Sequence, residues 1–192
     1  MTTLQHDLGA LRSHYHQQVC GQILAERNGV LNIADRGNRS SIQVAEQIRC
    51  LLGWPIASSA PSGQRAGKLF ENLTRDFLKE AFRLFSHLRP GQWRFSVNAS
   101  IAEFDQYWHL GGLLELAQQH PDIAAVLNTS YLIKPDIVIG RQPVSDDDIN
   151  RCGAVVTASE PVALFAPLRA ANFPNPRPIL HASVSCKWTI RS

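Results

Sequence analysis

None of the four cysteines (Cys20, Cys50, Cys152 and Cys186) stands in a Cys-x-x-Cys pair. Neither a zinc module nor a disulfide framework is indicated, and reduced thiols are the default. Long apolar runs are also missing. None approaches the roughly 20 residues of a membrane-crossing helix, and Met1-Thr2-Thr3-Leu4-Gln5-His6-Asp7 lacks the charged and apolar regions of a signal peptide. The expectation is a cytoplasmic protein with no membrane partner. His14 and His16 are two residues apart on a helical pattern, which splays them, whereas a metal pair wants i, i+4 spacing. A Gly-x-Ser-x-Gly elbow and a Ser-x-x-Lys helix start are both absent, so a serine hydrolase has no support. There is no internal repeat and no low-complexity tract.

Charge of either sign is scarce as well. Charged residues make up 18% and hydrophobic residues 44%, with a net charge of +3, which points to a globular chain rather than a disordered one. The small excess is unevenly placed. Residues 161–192 carry Arg169, Arg177, Lys187 and Arg191 and no acid, more positive charge than the whole chain nets. A phosphate backbone would dock against such a segment, although an ordinary basic tail has the same composition.

At 192 residues the chain is long enough for one substantial core, and residues 1–192 are expected to form a single domain. Helical spacing runs from about 4 to 26 through Leu8, Leu11, Tyr15, Val19 and Ile23. A polar loop over 28–38 carries Arg36, and Ser40 or Ser41 can cap a helix reaching Leu52. After a Pro/Ser-rich connector, a stripe of Phe70, Leu73, Phe77, Ala81, Leu84 and Leu88 predicts a helix over about 64–88. Residues 91–97 read as a strand, 101–119 as a helix despite Gly111-Gly112, and 131–139 and 178–190 as strands.

The last of these segments is the most informative. Leu180, Ala182, Val184, Cys186, Trp188 and Ile190 alternate with His181, Ser183, Ser185, Lys187 and Thr189, the pattern of a strand with one face in a core. Lys187 lies two residues after Ser185, and Asp136 follows Pro135 at the start of an apolar β-branched run. Pro-Asp followed at a distance by Ser-x-Lys is the PD-(D/E)xK nuclease pattern with serine in place of the second acid. The chemistry requires these types. Mg²⁺ takes hard oxygen ligands such as the Asp136 carboxylate, and a lysine beside it stabilises charge developing at phosphorus. Read singly, Asp136 is a loop residue and Lys187 an edge-strand cation. His181 reads as a structural histidine.

The string from Leu180 to Ser192 closely resembles the catalytic strand of the NgoMIV-type type II restriction endonucleases. Asn28-Gly29-Val30, Asn32, Ala34-Asp35, Gly63-Gln64, Phe70-Glu71, Arg89-Pro90-Gly91-Gln92-Trp93, Pro135-Asp136-Ile137 and Leu168-Arg169-Ala170 resemble the same family in the same order. The resemblance implies an α/β, restriction-endonuclease-like core with a mixed β-sheet flanked by helices. It implies a Mg²⁺-dependent deoxyribonuclease that cuts duplex DNA at a GCCGGC-like, CCGG-centred site as a homo-oligomer, a dimer or tetramer. Asp136, Ser185, Lys187 and Glu71 would be catalytic, and Asp136, the Cys186 backbone carbonyl and Glu71 would serve the metal. Arg191, Gln64 and Asp35 would contact DNA. Taken alone, Glu71 is a helix acid able to pair with Arg75, and Gln64 and Asp35 are polar loop residues.

Two departures accompany the resemblance. Gly37 stands where the family carries a small hydroxyl residue, which weakens the minor-groove assignment of its loop. The family pattern also continues past Arg-Ser into Asp-Arg and a helix bearing an essential glutamate, while this sequence stops at Ser192. The expectation is the N-terminal part of the family domain with its C-terminal part missing. The alternative function is an inactive remnant that binds DNA or completes itself with another subunit.

Overall fold

The computed structural model describes residues 3–88, 91–127, 134–160, 164, 166–172 and 174–189. The chain divides into two compact units, Met1–Leu88 with Cys186–Ser192, and Arg89–Ser185. Each is described by itself.

The first unit is mainly helical. Helix α1, Thr3–Gln22, lies against α3, Gly63–Leu84. Tyr15 stacks on Phe77 with ring centroids 4.8 Å apart, and its hydroxyl is 2.9 Å from Thr74 Oγ1. The first helix stops short of the expected end at 26 for a packing reason. Ile23, Leu24 and Ala25 are all buried, and successive helical residues point about 100° apart, so one helical face cannot bury three in a row. The backbone leaves the helix, and the Asn32 side chain takes over its bonds, accepting from Ala25 N–H at 3.1 Å and donating to Ile23 C=O at 2.8 Å.

Within the stretch expected to be loop lies a small hairpin, β1 Glu26–Arg27 and β2 Val30–Leu31. Asn28 and Gly29 have φ of 56° and 74°, the two-residue turn that Asn-Gly favours. Helix α2 spans Arg39–Leu52. Its cap is Asn38, which accepts from Ser41 N–H at 3.1 Å, not Ser40 or Ser41. Ser41 is buried, and its hydroxyl accepts from Asp35 N–H. Cys20, Leu24, Leu31, Ile33 and Ala45 form the core, with Trp54 and Trp188 packed on it.

The second unit is built on an antiparallel sheet in the order β3–β4–β5, comprising Trp93–Val97, Ile137–Arg141 and Ile179–Val184. Central strand β4 has four consecutive buried residues, the mark of a strand covered on both faces. The helix expected over 101–119 is broken into 3₁₀ turns at Ile101–Glu103 and Asp105–Tyr107, then α4 His109–Gln119, followed by α5 Pro121–Leu127. Phe104 causes the break. It is fully buried with an extended backbone, and its ring lies over Gly140, where a Cβ would stand 2.4 Å from Phe104 Cε1.

The strand expected over 131–139 begins only at Ile137 among the described residues, and 131–133 lie outside them. Pro135 has no N–H to give a ladder, and the Asp136 carbonyl accepts from Asn98 N–H at 3.2 Å. Beyond β4, Val144 pairs in parallel with Arg169. The excursion between them contains α6, Asp146–Ile149, capped by Ser145. At its base Arg169, 4% exposed, donates to both Asp146 oxygens at 2.5 Å.

The expected α/β, restriction-endonuclease-like class holds, with helices and small antiparallel sheets; among the described residues parallel pairing is confined to the Val144–Arg169 bridge, in place of the mixed sheet expected. Strand β5 ends at Val184, however, not at 190. Its partner β4 starts at Ile137, opposite Val184, so the ladder has nothing further to pair with. Alternating burial nevertheless continues through Thr189. Among the described residues no helix is long and apolar enough to cross a membrane.

Candidate active site

The β4–β5 register places Asp136 and Ser185 in the second unit. Ile137 pairs with Val184, so the residues just outside the ladder, Asp136 and Ser185, come opposite one another. The Ser185 hydroxyl donates to Asp136 Oδ2 at 3.2 Å. Pro135 is buried beneath, and Asp136 is half-buried at the strand entrance. Pro-Asp and Ser-x-Lys, 49 residues apart, are thereby joined through their first members.

Glu71, Cys186 and Lys187 belong to the first unit. Trp188 packs on the core of that unit and tilts onto Phe70 of α3, with centroids 5.3 Å apart. Each ring anchors a neighbour of interest, since Glu71 follows Phe70 on the helix and Lys187 precedes Trp188. Lys187 is exposed, and Glu71 and Cys186, the latter a reduced thiol, are half-buried. Arg75, the partner foreseen for Glu71, is instead ion-paired with Asp76 at 2.8 Å. Burial pushes the Tyr15 phenol up, the Thr74 hydrogen bond opposes this, and the Cys186 thiol adds to the rise.

The residues expected to meet DNA lie elsewhere in the first unit. Asp35 Oδ1 accepts from Gly37 N–H at 3.0 Å, which closes a tight turn, and Gln64 is exposed in the first turn of α3. A cavity of about 440 Å³ opens beside them, lined by Arg27, Asn32, Arg36, Gly63 and Trp188. Arg27 was not singled out from the sequence, although Asn28-Gly29 is a hairpin signal that would have placed it. Arg191 lies outside the described residues.

The donor chemistry suits a hard divalent cation. Asp136 contributes a carboxylate and Ser185 a hydroxyl held against it, both oxygens. Among the described residues no group of three or more His, Cys, Asp or Glu side chains is gathered as a metal site. A single carboxylate supplemented by phosphate oxygens and waters is the usual way Mg²⁺ is bound, in contrast to an all-protein cage.

Paired strands with Pro-Asp at the start of one and Ser-x-Lys beyond the end of the other define the restriction-endonuclease-like class. The NgoMIV restriction enzyme family matches residues 15–192. The chain is also 40% identical over 188 residues, 94% of its own length, to the type II restriction enzyme NgoMIV of Neisseria gonorrhoeae. It belongs to the NgoMIV restriction enzyme family, and it spans 64% of that relative's length.

Proposed function

We propose that the protein is a type II site-specific deoxyribonuclease that hydrolyses duplex DNA with Mg²⁺. Its site is CCGG-centred, of the GCCGGC type, and it works in the cytoplasm as a homo-oligomer, a dimer or tetramer. The observation that carries this reading is the Ser185–Asp136 hydrogen bond. The bond joins the half-buried aspartate of Pro-Asp to the serine of Ser-x-Lys across a long interval of chain, as a phosphodiesterase centre built on those two segments would need.

In this reading Asp136 is the principal carboxylate that would hold the ion, the Cys186 backbone carbonyl would be a further ligand, and Glu71 would have a shared or indirect role. When bound, Mg²⁺ would supply charge stabilisation at the phosphate and a more acidic water. Ser185 orients the Asp136 oxygens by donating to one of them. The Lys187 ammonium stabilises negative charge that builds at phosphorus, an interaction stronger in the transition state than in the ground state. Gln64 and Asp35 meet the minor groove, where the pattern is degenerate. Arg191 reads guanine O6 and N7 in the major groove.

Supercoiled-plasmid cleavage with Mg²⁺, set beside duplex binding in Ca²⁺, tests the proposal. The expected result is Mg²⁺-dependent cutting confined to CCGG-centred sites. Specific binding in Ca²⁺ with no cutting under any divalent ion would overturn the nuclease reading and favour a DNA-binding subunit.

A further inference from the structure

Ser185 meets Asp136 only because β5 reaches β4 in one register, and that register contains a step. Arg141 pairs with Ile179 and Gly140 with Leu180, but Ile139 pairs with Ala182. His181 is therefore an extra residue in β5, a β-bulge. Without it, everything downstream would shift by one place and present its other face. Val184 would then stand opposite Asp136.

The residue just before the bulge is gripped by one side chain. Leu180 N–H donates to Gln106 Oε1 at 2.8 Å, and Gln106 Nε2 donates to Leu180 C=O at 2.9 Å. Two residues upstream, Asp105 N–H donates to Pro178 C=O at 2.9 Å. Because β5 is an edge strand, these bonds stand in for a fourth strand, the side-chain amide imitating a peptide group. The segment bearing Gln106 is itself seated by Phe104, buried over Gly140. The bulged residue is held too, since the His181 ring stands edge-on to Trp93 with centroids 4.9 Å apart.

We propose that Gln106 is a positioning residue for the cleavage reaction. By engaging both backbone groups of Leu180 it fixes the bulge at His181 and so keeps Ser185 opposite Asp136. The assignment rests on the nuclease reading above. It is chemically specific, because the grip needs one donor and one acceptor on the same planar group. A carboxylate offers only acceptors and would face the Leu180 carbonyl, whereas a protonated carboxyl again offers one of each.

Gln106→Glu therefore makes the device pH-dependent. Its single-turnover cleavage rate, taken as a ratio to wild type at each pH, should be roughly ten-fold or more below unity at about pH 8 and climb back toward unity only as the pH is lowered through the ordinary glutamate range, near about 4. Duplex affinity in Ca²⁺ should stay unchanged. Gln106→Ala should lose about ten- to a hundred-fold in rate at every pH, with little change in thermal midpoint because Gln106 is exposed. Hydrogen exchange supplies a readout independent of activity, with backbone amides of 182–185 exchanging faster in Gln106→Ala than in wild type. A flat Glu-to-wild-type ratio across pH, or unchanged exchange in Gln106→Ala, would overturn the proposal. A wild-type protein that never cuts DNA would overturn the nuclease reading instead, and the exchange comparison would still decide whether Gln106 holds the strand.

Discussion

Two side chains with opposite charge carry the proposed chemistry, and they should fail in different ways. Asp136→Ala removes the carboxylate that Ser185 orients and is expected to abolish Mg²⁺-dependent cleavage. Lys187→Ala should abolish cleavage too, yet leave Ca²⁺-supported binding largely intact, because its interaction grows in the transition state. Glu71→Ala should be milder than either. Quantitative cleavage and binding assays on the three variants check this, and equal, negligible effects would refute the roles. Gly140 is a different kind of residue, required by what it lacks. Its missing Cβ is the space Phe104 occupies, 2.4 Å from a ring carbon, so Gly140→Ala should destabilise by about 1–3 kcal/mol. An unshifted urea midpoint would contradict that.

At the scale of elements, helix α2 illustrates how a local rule was followed by an unexpected residue. Asn38 provides the cap, and Asn38→Ala should cost about 1 kcal/mol, measurable as a lower denaturation midpoint. Ser40→Ala should cost far less. The long helices were legible because their apolar stripes repeat at helical spacing over several turns. The end of α1 was not, since it depends on Ile23, Leu24 and Ala25 all finding cover at once, a tertiary fact. For the same reason the break at Phe104 is invisible in the sequence around it, because its cause is a glycine 36 residues away. The Asn28-Gly29 pair favours a two-residue hairpin, a signal that the polar character of residues 28–38 obscures. Of the proposed site residues, Asp136 and Ser185 are joined by the ladder in the way their strand patterns suggest. Gln106 was not legible, since nothing in its neighbourhood announces a bond to Leu180.

For the whole molecule, acid sensitivity and sequence selectivity are the properties to measure. The Asp146 carboxyl is held below the usual carboxylate range, chiefly by hydrogen bonds from Arg169 and also by its charge, against desolvation. A folded-state pKa lower than the unfolded one contributes stability above the unfolded value and loses it as pH falls through the folded one. The stability gap between wild type and Asp146→Asn should therefore be steady near neutrality and close below about pH 4. A gap that does not narrow at all on acidification would exclude this pair as the cause. Selectivity should respond to Arg191. Arg191→Ala is expected to cost roughly 1–3 kcal/mol at the cognate site and little at others. A uniform loss with a shallower salt dependence would mark it as a phosphate contact.

The clasp formed by Val144, Asp146 and Arg169 has a consequence for how this protein can vary. Both ends of the intervening stretch are tied by the parallel bridge and by a two-pronged ion pair, so the strands inside are insulated from its length. Closing a longer loop costs only about 0.6 kcal/mol per doubling. Natural variants should therefore differ in length between positions 147 and 168 more freely than anywhere between 134 and 142. A chain nicked at exposed Arg151 should stay together, because the clasp would hold the two pieces where the peptide bond no longer does.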